Sequence, residues 1–147
     1  MPTIENNPVA LATPTIVARE VDGVRVAIHS AKNPSAADWE QALDWTRNQL
    51  RTATRPIRYL VLTQGGAPNS VQRAEFGKLV KGQEILTAIV TSSAFTRGMV
   101  TAMAWFNRNI RPFPEDDIDS ALRYLGVPPA DFEKFRQAIA ALRKQLR

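Results

Sequence analysis

The sequence predicts a layered α/β domain: a mostly parallel sheet of about five strands, the first antiparallel, with four helices and an extra C-terminal helix. Three observations predict it. Asp22-Gly23 lies between two β-branched runs, a hairpin signal. Short apolar runs at 57–63 and 85–91 alternate with segments of helical period, which implies right-handed crossovers and parallel strands. Pro128-Pro129 then interrupts the chain before a last amphipathic stripe. The expected organisation is a flexible lead-in over 1–13, a domain over 14–127, and a C-terminal amphipathic helix over 128–147.

Taken in order, Thr15 to Arg19 and Val24 to His29 are the hairpin strands. Val24, Val26 and Ile28 point inward, while Arg25, Ala27 and His29 face partly outward. Asn33-Pro34-Ser35 caps the first helix, and Asp38 three residues after Ser35 makes a capping box with Asp in place of Glu. Its stripe is Trp39, Leu43, Thr46 and Leu50, which leaves Trp45 off the stripe and exposed. Ile57 to Thr63 is a buried strand. A second helix from Ser70 to Val80 carries Val71, Ala74, Phe76, Leu79 and Val80. After the strand Ile85 to Thr91, Ser92-Ser93 opens a third helix, Ala94 to about Asn107, in which Trp105 and Phe106 pack. Ile110-Arg111-Pro112-Phe113 is a strand whose proline suits an edge. Glu115-Asp116-Asp117 starts a fourth helix at its acid-favouring end, and Gly126 stops it. Phe132, Phe135, Ile139, Leu142 and Leu146 form the last stripe.

Composition excludes several chemistries. The chain has no cysteine, which removes disulfides, thiolate nucleophiles and Cys-ligated metals, and one histidine, too few for an ordinary transition-metal site. The net charge of +5 comes from scattered arginines, whereas a nucleic-acid binder clusters them on one face. The start has neither the basic nor the apolar region of a signal peptide, and no run reaches the roughly 20 apolar residues of a membrane span. A cytoplasmic protein is expected, with no nucleic-acid partner, no cofactor and no membrane span.

The stretch Thr63-Gln64-Gly65-Gly66-Ala67-Pro68-Asn69-Ser70 joins a strand to a helix. It lacks the Lys-Ser/Thr pair of a phosphate-binding loop and the third glycine of a dinucleotide fingerprint. Either the glycines permit a left-handed turn and Asn69 or Ser70 caps the helix, or the loop binds a ligand at the carboxyl ends of the strands. Arg97, after Ser92-Ser93, either joins the free amides of that helix start in holding an anion or points to water while Ser93 caps. His29 with Ser70, Ser92, Ser93 and Asp116 offers the residue types of a hydrolase, but no Gly-x-Ser-x-Gly elbow is present.

The element order over roughly residues 15–126 resembles the STAS domain, in particular its SpoIIAA-like branch of anti-sigma-factor antagonists. The segment "ILTAIVTSSAFTRGMVTAMAWFNRNIRPFPEDDIDSALRYLG" carries the resemblance most clearly. In that branch, a serine in the loop after the central strand is phosphorylated by a partner kinase within an Asp-Ser-Ser motif. Asn69-Ser70 stands at the corresponding place, without the acidic residue or the second serine. The resemblance implies a non-enzymatic regulatory or binding module, with Ser70 as the phosphoacceptor.

The expected binding residues are therefore Gly65, Gly66, Asn69, Ser70, Ser92, Ser93 and Arg97, with no catalytic or metal-binding residues. Two alternatives stand beside this reading. One is a small enzyme using His29 and strand-end hydroxyls. The other is an assembly module whose last helix forms a homodimer through Phe132, Phe135, Ile139 and Leu142.

Overall fold

The computed structural model describes residues 10–52, 56–92, 94, 97, 98 and 109–146. The strands are β1 (Leu11–Ala12), β2 (Ile16–Val21), β3 (Val24–His29), β4 (Ile57–Thr63), β5 (Ile85–Thr91) and β6 (Ile110–Pro114). The helices are α1 (Ala36–Thr52), α2 (Ser70–Leu79), α3 (Ile118–Tyr124) and α4 (Phe132–Gln145), the last preceded by a 3-10 turn over Pro129–Asp131. The third helix expected from sequence, with Ser93, Trp105 and Phe106, falls mostly outside the described residues; Ala94, Arg97 and Gly98 are helical.

The six strands lie side by side in chain order. The β1–β2 and β2–β3 pairs are antiparallel, and the remaining three pairs are parallel. This is the layered α/β architecture that the element order predicts. Leu11 and Ala12 fall within the stretch expected to be a flexible lead-in, but they pair with Ala18 and Val17 as an edge strand. The β2–β3 turn is Asp22-Gly23, with φ of 48° and 81°. Two consecutive positive φ values are what a type I′ hairpin turn requires. At the far edge, Thr87 N–H donates to the Asn109 carbonyl at 2.7 Å, so alternation points Arg111 and Phe113 toward β5 and turns Pro112 and Pro114 outward. A strand edge without those N–H groups resists pairing with another chain.

Crossovers of one hand between strands in chain order put successive helices on the same face. α1 and α2 cover that face, packing Trp39, Leu43 and Phe76 against Ile16, Ala18 and Ala27, and Leu50 and Phe76 against Ile57, Tyr59 and Ile85. The opposite face carries Val17, Val24, Val26, Ile28, Leu60, Leu62 and Val90, and α3 and α4 cover it with Leu122, Phe132, Phe135, Ile139 and Leu142. Phe135 is fully buried and Leu142 is 1% exposed. The four side chains expected to form a homodimer are thus spent inside their own chain, and a second copy would have to meet other residues. The reason is topological: with α1 and α2 on one face, the other face needs a cover.

Further positions differ from what the sequence predicts. All six residues of β3 are buried, including Arg25 and His29, which were expected to face partly outward. Arg25 lies 3.6 Å from the centroid of the Trp45 ring and donates to the Trp45 carbonyl at 3.1 Å. Trp45 is consequently half-buried rather than exposed. Burial works against the charge of this guanidinium and lowers its pKa, and the indole face and the carbonyl offset part of that cost. In α2 the one buried residue is Gln72, beside the partly buried Phe76 and Leu79, while Val71 is 67% exposed. The Gln72 amide fixes that rotation by donating to the Pro34 carbonyl at 3.1 Å.

Candidate functional site

The parallel register brings His29, Thr63 and Thr91 into one row across β3, β4 and β5 at their carboxyl ends. All three are buried. Ligands of open α/β sheets bind beyond such strand ends, in the loops that follow. Here two of those loops, 30–35 and 64–69, are fastened to each other.

The fastening begins at the strand ends. Gln64 N–H donates to the His29 carbonyl at 3.1 Å and Gly66 N–H to the Ser30 carbonyl at 2.9 Å. Ala67 N–H donates to Asn33 Oδ1 at 3.0 Å. Thr63 Oγ1 closes the turn from inside, donating to the Gly66 carbonyl at 2.5 Å and accepting from Gly65 N–H at 3.1 Å. The two glycines have different reasons. Gly65 has φ of +126°, a conformation closed to other residues, whereas at Gly66 a Cβ would stand 2.2 Å from the Lys32 carbonyl oxygen.

Asn69 then caps α2. Its side chain accepts from Gln72 N–H at 2.8 Å, and Gln72 Oε1 accepts from Asn69 N–H at 2.9 Å, a complete capping box. Cap and glycine turn are thus the roles this loop fills within the fold. What it presents outward is Ser70, exposed at the first helical position, and Val71 beside it. At the first helix, Ser35 Oγ accepts from Asp38 N–H at 3.1 Å as expected for a cap. The Asp38 carboxylate does not return to complete a box; it accepts from the Thr15 hydroxyl at 2.6 Å.

Of the binding residues expected from sequence, Gly65, Gly66, Asn69 and Ser70 form one continuous structure. Ser92 leaves β5 at the same sheet edge and is exposed, Arg97 is half-buried and engaged in an interaction, and Ser93 lies outside the described residues. Sequence reasoning missed the partners Ser30, Lys32, Asn33 and Pro34. Asn33-Pro34 has the local signature of a cap, and nothing local announces a contact between loops more than 30 residues apart.

His29 is 9% exposed, and burial lowers its pKa from the ordinary 6.5 to about 4. It is therefore neutral at physiological pH. Among the described residues its imidazole is in no hydrogen bond, so no hydroxyl there stands activated by it, and Ser70 sits exposed on α2. The described residues likewise contain no group of His, Asp or Glu side chains placed to hold a metal ion. No helix among them is long and apolar enough to cross a membrane. Comparison with protein-family models, with curated proteins and with solved structures finds no match to this chain.

Proposed function

We propose that the chain is a cytoplasmic, non-enzymatic binding module of STAS-like type, regulatory in role, working through protein–protein or small-ligand contacts at the strand-end rim. One observation carries the reading: a rigid, doubly fastened loop delivers Ser70 and Val71 to solvent on a capped helix end. Ordering a loop costs about 1–2 kcal/mol per residue, and a partner meeting a loop already held by its neighbour does not have to supply that cost. Val71 is the one large apolar side chain standing exposed among the described residues, and here it adjoins the hydroxyl at the helix start. The STAS-like assignment draws support from the strand order and from the hairpin, crossovers and acid-led helix falling at the expected residues. Fold alone does not decide function; the presented rim is the reason for choosing binding.

The test is capture of partners by the tagged full chain, identified by mass spectrometry, beside the variant Val71→Glu. The variant should lose a specific partner while its melting temperature stays unchanged, because Val71 packs against nothing that holds the fold. Identical captured sets from both chains would remove the rim from consideration. Exposure of Ser70 supports a second reading, in which a phosphate there switches the same surface, its charge tolerated at a helix N-terminus. Under that reading Ser70→Asp reproduces the loss seen with Val71→Glu, and Ser70→Ala does not.

A further inference from the structure

We propose that Arg19 anchors a carboxylate-binding site between the β1 edge of the sheet and α4, suited to a small organic acid with a short apolar body. The site lies away from the strand-end rim and does not depend on it. Arg19 is 8% exposed, and its Nε is buried without a hydrogen-bond partner. Its two Nη atoms are not buried in that way and make no bond among the described residues, so they meet solvent. Every other arginine among the described residues is engaged with another group. Arg25, also buried, has the Tyr59 hydroxyl at 3.5 Å, the Trp45 carbonyl at 3.1 Å, an indole face and Glu20 in register with it. Arg19 has nothing equivalent. A guanidinium does not shed its charge as a lysine can, and a charge withdrawn from water without a partner is costly. A carboxylate relieves that cost by offering its two oxygens to the two Nη atoms.

Arg19 stands between Val17 and Val21 on the face that α4 covers, in register with Val26. On its outer side the sheet ends at β1, where Ala10 and Ala12 are exposed. The ion pairs of α4 decide which flank of the helix lies above it. Arg136 and Arg143 reach Asp119 of α3 and Glu115 beyond β6, so their flank faces β5 and β6. A helical step of roughly 100° per residue puts Lys134, Ala138 and Ala141 on the opposite flank, over β2. Lys134 meets Asp22 at the hairpin turn, which fixes the height of the helix on the sheet. From Asp22 back to Arg19 is roughly 10 Å of strand, and the same length of helix from Lys134 arrives at Ala141. The walls beside the guanidinium are thus methyl groups, with Ala138 buried and Ala141 exposed. No carboxylate of the chain competes there. Residues 134–146 contain none, Glu20 alternates to the face of Arg25, and Asp22 is held by Lys134. One cation between small apolar walls fits a monocarboxylate better than a multiply charged anion.

The test titrates the full chain with acetate, butyrate, phosphate and chloride as sodium salts at matched ionic strength. NMR follows the Arg19 Nε–Hε resonance and the backbone amides. Butyrate should shift Arg19 and Ala141 saturably. Acetate should bind roughly ten- to fifteen-fold more weakly, since each of two methylenes buried against the alanines contributes roughly four-fold. Phosphate should bind no better than acetate. Arg19→Met should lose the butyrate response and melt no lower than wild type, because it removes an unpaired charge from a buried place. If that variant does not fold, the Arg19 resonance of the wild-type chain still decides. An Arg19 resonance that drifts with butyrate only as it drifts with chloride, without saturating, overturns the site. So does a butyrate response that persists in Arg19→Met, because the carboxylate then sits elsewhere. Phosphate binding tighter than butyrate overturns the assignment to a small organic acid.

Discussion

Gly66→Ala tests the fastening directly. The added Cβ would lie 2.2 Å from the Lys32 carbonyl oxygen, 2.5 Å from that of Ser30 and 2.7 Å from the Lys32 carbonyl carbon. These are backbone atoms, with no flexible side-chain end to swing aside. Ordinary contact begins near 3.4 Å, so one loop must retreat by the difference, about 1 Å. That displacement lengthens the Gly66–Ser30 bond from 2.9 Å beyond hydrogen-bonding range and strains the Ala67–Asn33 bond next to it. Each bond contributes about 0.5–1.5 kcal/mol net, and a buried group left unpaired costs about 1–3 kcal/mol, so the substitution should cost roughly 2–4 kcal/mol. For a chain of this size that is a fall in melting temperature of roughly 5–15 °C, read by calorimetry or far-UV circular dichroism. The matched control is Gly77→Ala on the exposed side of α2, where a Cβ meets nothing within 4 Å. There the lower entropy of the unfolded chain and better helix propensity should raise stability by about 0.5–1 kcal/mol. A Gly66→Ala chain melting within about 1 °C of wild type would refute the close approach as the reason for that glycine.

Two further outcomes follow from burial. Phe135→Ala empties a fully buried site between α4 and the sheet and should cost about 3–5 kcal/mol, while Phe135→Asp with Ile139→Asp should leave no folded monomer; a folded double variant by light scattering and circular dichroism would contradict the intramolecular docking. Acid should weaken the fold through His29. Its folded pKa of about 4 lies below the ordinary 6.5, so the unfolded chain binds the extra proton between these values. Stability is then complete above about pH 6.5 and falls as pH drops toward 4, by about 3 kcal/mol in all, a slope that urea titrations across that range should lose in His29→Gln.

Much of the fold was legible because its signals are local. Asp22-Gly23 reports a type I′ turn, since that dipeptide readily takes two positive φ values in succession. Ser35 before Asp38, and Pro112 in an edge strand, are likewise decided by neighbours within one turn or one strand pair. What local reasoning missed depends on contacts across the chain. Val71 belongs to the apolar pattern of α2, but helix rotation is set by the bond from Gln72 to Pro34, 38 residues away. Arg25 looked like an outward position until Trp45 of α1 came to lie on it. The glycine pair read correctly as a turn, yet only Gly65 needs the unusual dihedral, and Gly66 answers to a loop that the sequence does not mark as its neighbour.

The destination of α4 was open for the same reason, although the sheet order resolves it by argument. Periodicity shows that Phe135, Ile139 and Leu142 share a face, and says nothing about what meets it. Consecutive right-handed crossovers place α1 and α2 on one side of β3 and β4. Val24, Val26, Ile28, Leu60 and Leu62 then stand on the other side, and each of these large side chains would lose about 1.5–3 kcal/mol if left in water. α3 packs against β5 and β6 and cannot reach β2 and β3 as well. Among the described helices the remaining apolar stripe is that of α4, which packs against β2 and β3. Arg58 secures the amino end of this arrangement, donating to the Leu125 carbonyl at 2.8 Å, while Lys134 of α4 pairs with Asp22 of the hairpin turn at 2.8 Å. The helix is therefore the second cover of the sheet. Its removal would expose a full face of the core, which is why the surface proposed for partners lies at the strand ends and not along α4.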